Sequence, residues 1–143
     1  MKKILIIITV SCTLLLISSL SQSEALAATV NEVNVVMRPM YTNVISFNNY
    51  INIINGNEVN VESNLSYHNA DEARIVVYLE QYINGNWVVL QGWSNSGSDL
   101  YLYVNGSRIV STGSQCRMRA YGYVYDGGKI IETASFTSAT VSN

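Results

Sequence analysis

Beyond residue 30 the chain alternates apolar and polar side chains with a period of two, the mark of strands that bury one face. Val33, Val35 and Met37 alternate, and Arg38-Pro39 closes that segment because proline has no N–H to give a ladder. A second strand is predicted from Val44 to Ile54, with a break near Asn48-Asn49. Asn55-Gly56-Asn57 predicts a tight hairpin turn, since Asn and Gly tolerate positive φ, and Val59, Val61, Ser63, Leu65 and Tyr67 form the return strand. After the polar stretch His68 to Glu72, Ile75, Val77 and Leu79 face one way while Arg74, Val76, Tyr78, Glu80 and Tyr82 face the other. Asn84-Gly85-Asn86 then turns the chain into a strand from Trp87 to Trp93. Ser94 to Asp99 reads as a loop, and Leu100 to Val104 as a strand ending at Asn105-Gly106. From Gln115 to Tyr125, Cys116, Met118, Ala120, Gly122 and Val124 share one face, with Arg117, Arg119, Tyr121, Tyr123 and Tyr125 on the other. Asp126-Gly127-Gly128 turns this strand into Ile130 to Phe136, and a short last segment reaches Val141.

About seven to nine short strands at this spacing predict one antiparallel β-sandwich over residues 28–143, of Greek-key or immunoglobulin-like type, with a closed barrel as the competing architecture. Composition supports the strands. Beyond residue 27 there are 24 Val plus Ile against five Leu, and ten Tyr, which excludes a helical bundle. The same stretch carries six Lys/Arg and nine Asp/Glu, so it lacks the basic footprint of a nucleic-acid partner.

Residues 1–27 are of another kind. Lys2 and Lys3 precede the apolar run Ile4 to Leu20, and Ala25-Leu26-Ala27 offers the small-x-small pattern of a signal peptidase site. A signal peptide cleaved after Ala27 is expected, giving a secreted protein with no membrane span; a retained anchor is the alternative, since the run is near the lower limit for crossing a bilayer. Cys12 lies inside the apolar run, which makes it a poor lipidation site. Cleavage leaves Cys116 as the one cysteine, so no intramolecular disulfide forms, and its strand position predicts a buried thiol rather than an intermolecular bridge.

The inventory for catalysis is thin. His68, the only histidine, sits in a polar loop with Asp71 and Glu72, and Cys116 is predicted to point into the core. Zinc needs several His or Cys ligands, and Asp71, Glu72, Asp99 and Asp126 lack the spacing of a calcium loop. Neither a metal nor a cofactor is expected, and the chain is read as a non-enzyme. The aromatic pattern says more. Tyr121, Tyr123 and Tyr125 share a face with Arg117 and Arg119, while Tyr101 with Tyr103 and Tyr78 with Tyr82 repeat the arrangement on other strands. Joined in one sheet, they would form a Tyr ladder flanked by Arg, suited to stacking on sugar rings or to a protein partner. The plainer reading is a sheet face stabilised by cross-strand pairs, with Glu80 and Glu132 as counter-charges.

The stretch Val77-Tyr78-Leu79-Glu80-Gln81-Tyr82-Ile83-Asn84-Gly85-Asn86-Trp87, followed by Trp93-Ser94, resembles a pattern in small exported proteins of Gram-positive bacteria. Gln115-Cys116-Arg117-Met118-Arg119-Ala120 and the Gly-rich turn leading through Glu132 to Thr133 are similar to its later elements. The resemblance spans roughly Asp71 to Val141 and implies an immunoglobulin-like exported domain from a group without an assigned activity, so it carries over no functional residues. A looser resemblance is to fibronectin type III modules, with Cys116 and Met118 at the Tyr and Val positions of a Tyr-x-Val-x-Ala strand and the corner tyrosine missing. Together these readings predict a secreted, non-catalytic binding or interaction module at the bacterial surface, with a protein or a cell-surface glycan as partner. The alternative is a self-assembling subunit that pairs through exposed strand edges.

Overall fold

The structure, a computed structural model, describes residues 40–143. The expected signal peptide, Cys12 and the alternating segment ending at Pro39 lie outside the described residues. The strands are β1 (Val44–Ile54), β2 (Glu58–Tyr67), β3 (Glu72–Ile83), β4 (Asn86–Gly97), β5 (Tyr101–Ile109), β6 (Gln115–Asp126), β7 (Lys129–Thr137) and β8 (Val141–Ser142). They form two antiparallel sheets, β1-β2-β5 and β4-β3-β6-β7, with β8 also paired to β6. This is a β-sandwich, and the separate ladders set aside the closed barrel. Among the described residues no helix is long and apolar enough to cross a membrane.

The hairpin turns form where Asn-Gly predicts them. Asn55 and Gly56 have φ of 51° and 81°, and Asn84 and Gly85 of 51° and 86°. Two consecutive positive φ values match the right-handed twist of the flanking strands, and Asn and Gly reach them with little strain.

The inward positions make one core. Phe47, Ile51, Val61 and Leu65 of the smaller sheet face Ile75, Val77, Leu79, Met118 and Val124 of the larger one. Cys116 is 1% exposed, as its place in the alternation predicts, and burial pushes its thiol pKa up, away from the reactive thiolate.

One strand lacks the break expected in it, and two run further than the sequence reading places them. β1 passes through Asn48-Asn49 unbroken, because Asn49 finds a partner inside the sandwich: buried Ser63, opposite it on β2, donates to its Oδ1 at 2.7 Å. β4 continues through Ser94 to Gly97, since those polar residues hydrogen-bond in register with Val76, Ile75, Arg74 and Ala73 at the edge of the sheet. β5 continues through Asn105-Gly106 with ordinary strand pairing to Glu62 and Val61. Gly106 serves here for close approach instead of a turn: the Trp93 ring lies against its α-carbon and closes the gap between β4 and β5.

The opposite side of the sandwich is closed by Glu132. Its carboxylate accepts the backbone N–H groups of Thr42, Asn43 and Val44, each at 2.7 Å, and so ties the start of β1 to β7. Glu132 pairs with inward-facing Val124, which places it on the core side of the sheet and not among the arginines. Its expected role as their counter-charge is therefore corrected. Burial alone would raise this carboxyl, but the three N–H donors, helped by His68, outweigh it and hold the pKa below the ordinary value of 4.5. A carboxyl with a lowered folded-state pKa adds stability that is complete above its unfolded pKa and is lost as pH falls through the folded one. Glu132→Gln should thus lower stability at neutral pH and flatten the loss on acidification below about pH 4.5. Urea titrations from pH 7 to 3 check this, and parallel curves for the two proteins would refute it.

Candidate functional site

The outward face of the larger sheet gathers most of the aromatic and arginine side chains that the sequence singles out. On β6, residues 117, 119, 121, 123 and 125 point away from the core and are half-buried. Register places Arg117 opposite Glu80, Arg119 opposite Tyr78, Tyr121 opposite Val76 and Tyr123 opposite Arg74. On the far side of β3, Tyr82 stands opposite Trp87, and Tyr78 opposite Gly92.

Glu80 organises the arginine end. It is 2% exposed although it sits on the outward face, because Arg117 and Arg119 fold over it. Arg117 Nε donates to Glu80 Oε2 at 2.7 Å, and Arg119 reaches Oε1 at 2.8 Å. The Arg117 guanidinium lies 4.3 Å from the centre of the Trp87 ring, which in turn leans on Tyr82 at 5.2 Å. Arg119 lies between Tyr78 and Tyr121, at 5.9 and 5.8 Å from their centres. The two guanidinium groups are thus held in place by Glu80 and the rings.

The tyrosine end is a set of rings in contact. Tyr121 and Tyr123 stack with centroids 6.2 Å apart and planes within 15°, and Tyr78 meets Tyr121 edge-on at 6.4 Å. Gly92 makes room for this: a Cβ there would press on the Tyr78 ring at 3.2 Å. A shallow depression beside it is lined by Arg74, Val76, Tyr78 and Ser94. The Tyr123 hydroxyl pKa is raised by burial and by the neighbouring tyrosines, with Arg74 pulling the other way, so the phenol stays neutral and able to donate.

Of the expected site residues, Arg117, Arg119, Tyr121 and Tyr123 converge with Tyr78. Tyr125 shares their face but lies toward the β6–β7 turn, opposite Glu72 and Ile130. Tyr101 and Tyr103 do not join them. β5 belongs to the other sheet, so those rings project from the opposite side of the molecule. Sequence reasoning missed Trp87 and Gly92 as parts of this face and, although it set Arg74 on the same face as Tyr78, left it out of the candidate site. The Asn84-Gly85 turn could have found Trp87, since a two-residue hairpin loop pairs Ile83 with Asn86 and therefore Tyr82 with Trp87.

His68 lies in the β2–β3 loop as expected but is partly buried there, and its backbone N–H donates to Asn43 O at 2.9 Å. Asp71 caps the β6–β7 turn by accepting from Gly127 N at 2.8 Å. Among the described residues no group of three or more His, Cys, Asp or Glu is arranged to hold a metal ion.

No protein-family model matches the chain, and no curated protein does. Among solved structures the chain is similar to the crystal structure of a Br derivative of BhCBM56, with 16% identity over 68% of this chain and 99% of that one and a TM-score of 0.36. No role passes from that structure to a residue of this chain.

Proposed function

We propose that this protein is an exported, non-catalytic binding module whose partner docks on the outward face of the β4-β3-β6-β7 sheet. The observation that carries the reading is the continuous run of Trp87, Arg117, Arg119, Tyr78, Tyr121 and Tyr123, rigidified by Glu80 and by ring contacts. Pre-ordered aromatic and arginine side chains lose little conformational freedom on binding, which is why they anchor interfaces. The face holds Arg74, Arg117 and Arg119 against Glu80 and, at its far end, Glu72. A positive excess within a chain of net charge −2 suits a partner with an acidic surface. Export rests on the Lys2-Lys3, Ile4 to Leu20 and Ala25-Leu26-Ala27 pattern of the sequence. Of the two partner classes expected, the Tyr-Arg anchors favour a protein over a glycan.

A pull-down from the envelope of the producing organism tests the reading. Tyr121→Ser/Tyr123→Ser should weaken capture by about tenfold or more, because two anchors are lost, while the melting curve stays close to that of the parent. Equal capture by the two proteins would remove this face as the docking surface. Capture that survives protease treatment of the envelope would assign the face to a glycan.

A further inference from the structure

The outward face of the β1-β2-β5 sheet breaks the usual preferences of strands. Its outward positions include Asn48 and Asn52 on β1, Asn60 and Asn64 on β2, and Asn105 on β5. Asn is depleted in strands because its short amide competes with the ladder for backbone hydrogen bonds. Five on one face of three strands is a local cost that the fold does not require, since these side chains lie outside the core. Departures of this kind concentrate where a surface has work to do.

Register brings these amides together. Asn48 stands opposite Asn64, which stands opposite Tyr103, and Asn52 stands opposite Asn60. Asn48 Nδ2 donates to Asn64 Oδ1 at 3.1 Å, Asn105 Nδ2 to Asn60 Oδ1 at 3.2 Å, and Asn60 Nδ2 to Glu62 Oε1 at 3.1 Å. These bonds orient the amides and leave much of their capacity unused, because each amide has two N–H donors and an oxygen with two lone pairs. Tyr101 and Tyr103 flank the array, 55% and 44% exposed, two residues apart on β5 and so about 7 Å apart along one face. Glu58 and Glu62 are the charges among the outward positions of these three strands; Arg108 of β5, opposite inward Val59, alternates to the other side and donates to Gln91 Oε1 of β4.

We propose that this face is a second ligand site, separate from the Tyr-Arg face and on the opposite sheet, and that it takes a neutral, hydroxyl-rich polymer, an uncharged polysaccharide. The apolar faces of sugar rings lie on Tyr101 and Tyr103, and ring hydroxyls exchange hydrogen bonds with Asn60, Asn64 and Asn105. The two carboxylates on this face repel anionic polymers. A protein partner would find amides at the centre of the face, where an interface needs desolvated anchors.

Affinity electrophoresis of the purified chain in native gels containing hydroxyethylcellulose, galactomannan, amylopectin or, as the anionic control, polygalacturonate tests this. Retardation is expected in at least one neutral gel and not in polygalacturonate. Tyr101→Ala/Tyr103→Ala should reduce the affinity by about tenfold or more. Asn60→Ser/Asn64→Ser should reduce it as well, and Tyr121→Ser/Tyr123→Ser should leave it unchanged. Melting curves confirm that the variants remain folded, as these side chains lie outside the core. The proposal is overturned by free migration of the parent in every neutral gel, by equal retardation in polygalacturonate, or by retardation that the folded β2 and β5 variants preserve.

Discussion

Glu80→Ala is expected to cost the fold about 3 kcal/mol, the cost of removing one partner from a buried ion pair and leaving its mates uncompensated. Glu80 is 2% exposed and holds two guanidinium groups at 2.7 and 2.8 Å. The arginine side chains keep 25% and 37% exposure, so part of their charge returns to water and the loss stays below the worst case for a fully buried pair. At roughly 4–8 °C per kcal/mol for a domain of this size, the melting temperature should fall by more than 10 °C. Glu80→Leu combined with Arg117→Met and Arg119→Met should recover most of that stability, because an apolar cluster of similar volume needs no charge desolvation. The same triple variant should lose the docking of the proposed acidic partner. Urea denaturation of the two variants checks the first claim, and a loss below about 1 kcal/mol for Glu80→Ala would show that the carboxylate contributes as an ordinary surface pair.

Gly106→Ala should destabilise by about 2 kcal/mol, although alanine suits a strand better than glycine does. A Cβ on residue 106 would stand 2.5 Å from Trp93 Cδ2 and Nε1, well inside contact distance, and the atoms in its way belong to a rigid ring. Trp93 must then leave the seam between β4 and β5, and its fluorescence should shift to the red as water reaches it. Trp93→Leu costs stability alone but should relieve the clash, so the double variant is expected to be more stable than the sum of the single losses predicts. Additive losses within about 0.5 kcal/mol would mean that the two residues do not meet.

The two cases differ in how much of each was legible in the sequence. Alternation along β3 and β6 is enough to place Glu80, Arg117 and Arg119 on one face, and the Glu-Arg pairing expected there is present. Burial of Glu80 was not legible, because it arises when two long side chains from a neighbouring strand fold over the carboxylate. Gly106 was misread for a related reason. Asn105-Gly106 has the composition of a turn, and only the approach of Trp93 from the other sheet explains a glycine inside a strand. Ser94 to Gly97 resembled a loop because an edge strand needs no apolar face when its backbone pairs with one neighbour. Glu132 has the spacing of a cross-strand ion pair, yet the bulge between Val124 and Tyr125 in the β6–β7 ladder shifts the register, and Glu132 ends on the core side against three backbone donors.

By itself the sequence determined the presence and order of the strands beyond residue 43, their inward and outward faces, the three Gly-bearing turns and the buried Cys116, though not every strand's extent. Each depends on neighbours within a few residues, through the pleat period or the φ range that a turn imposes. Tertiary structure alone decided which faces become one surface. Tyr78 joined Tyr121 and Tyr123 because β3 pairs with β6, while Tyr101 and Tyr103 went with β5 to the opposite sheet, beside the asparagines of β1 and β2. Strand order is set by how two sheets cover a common core, a matter of long-range packing that alternation does not encode.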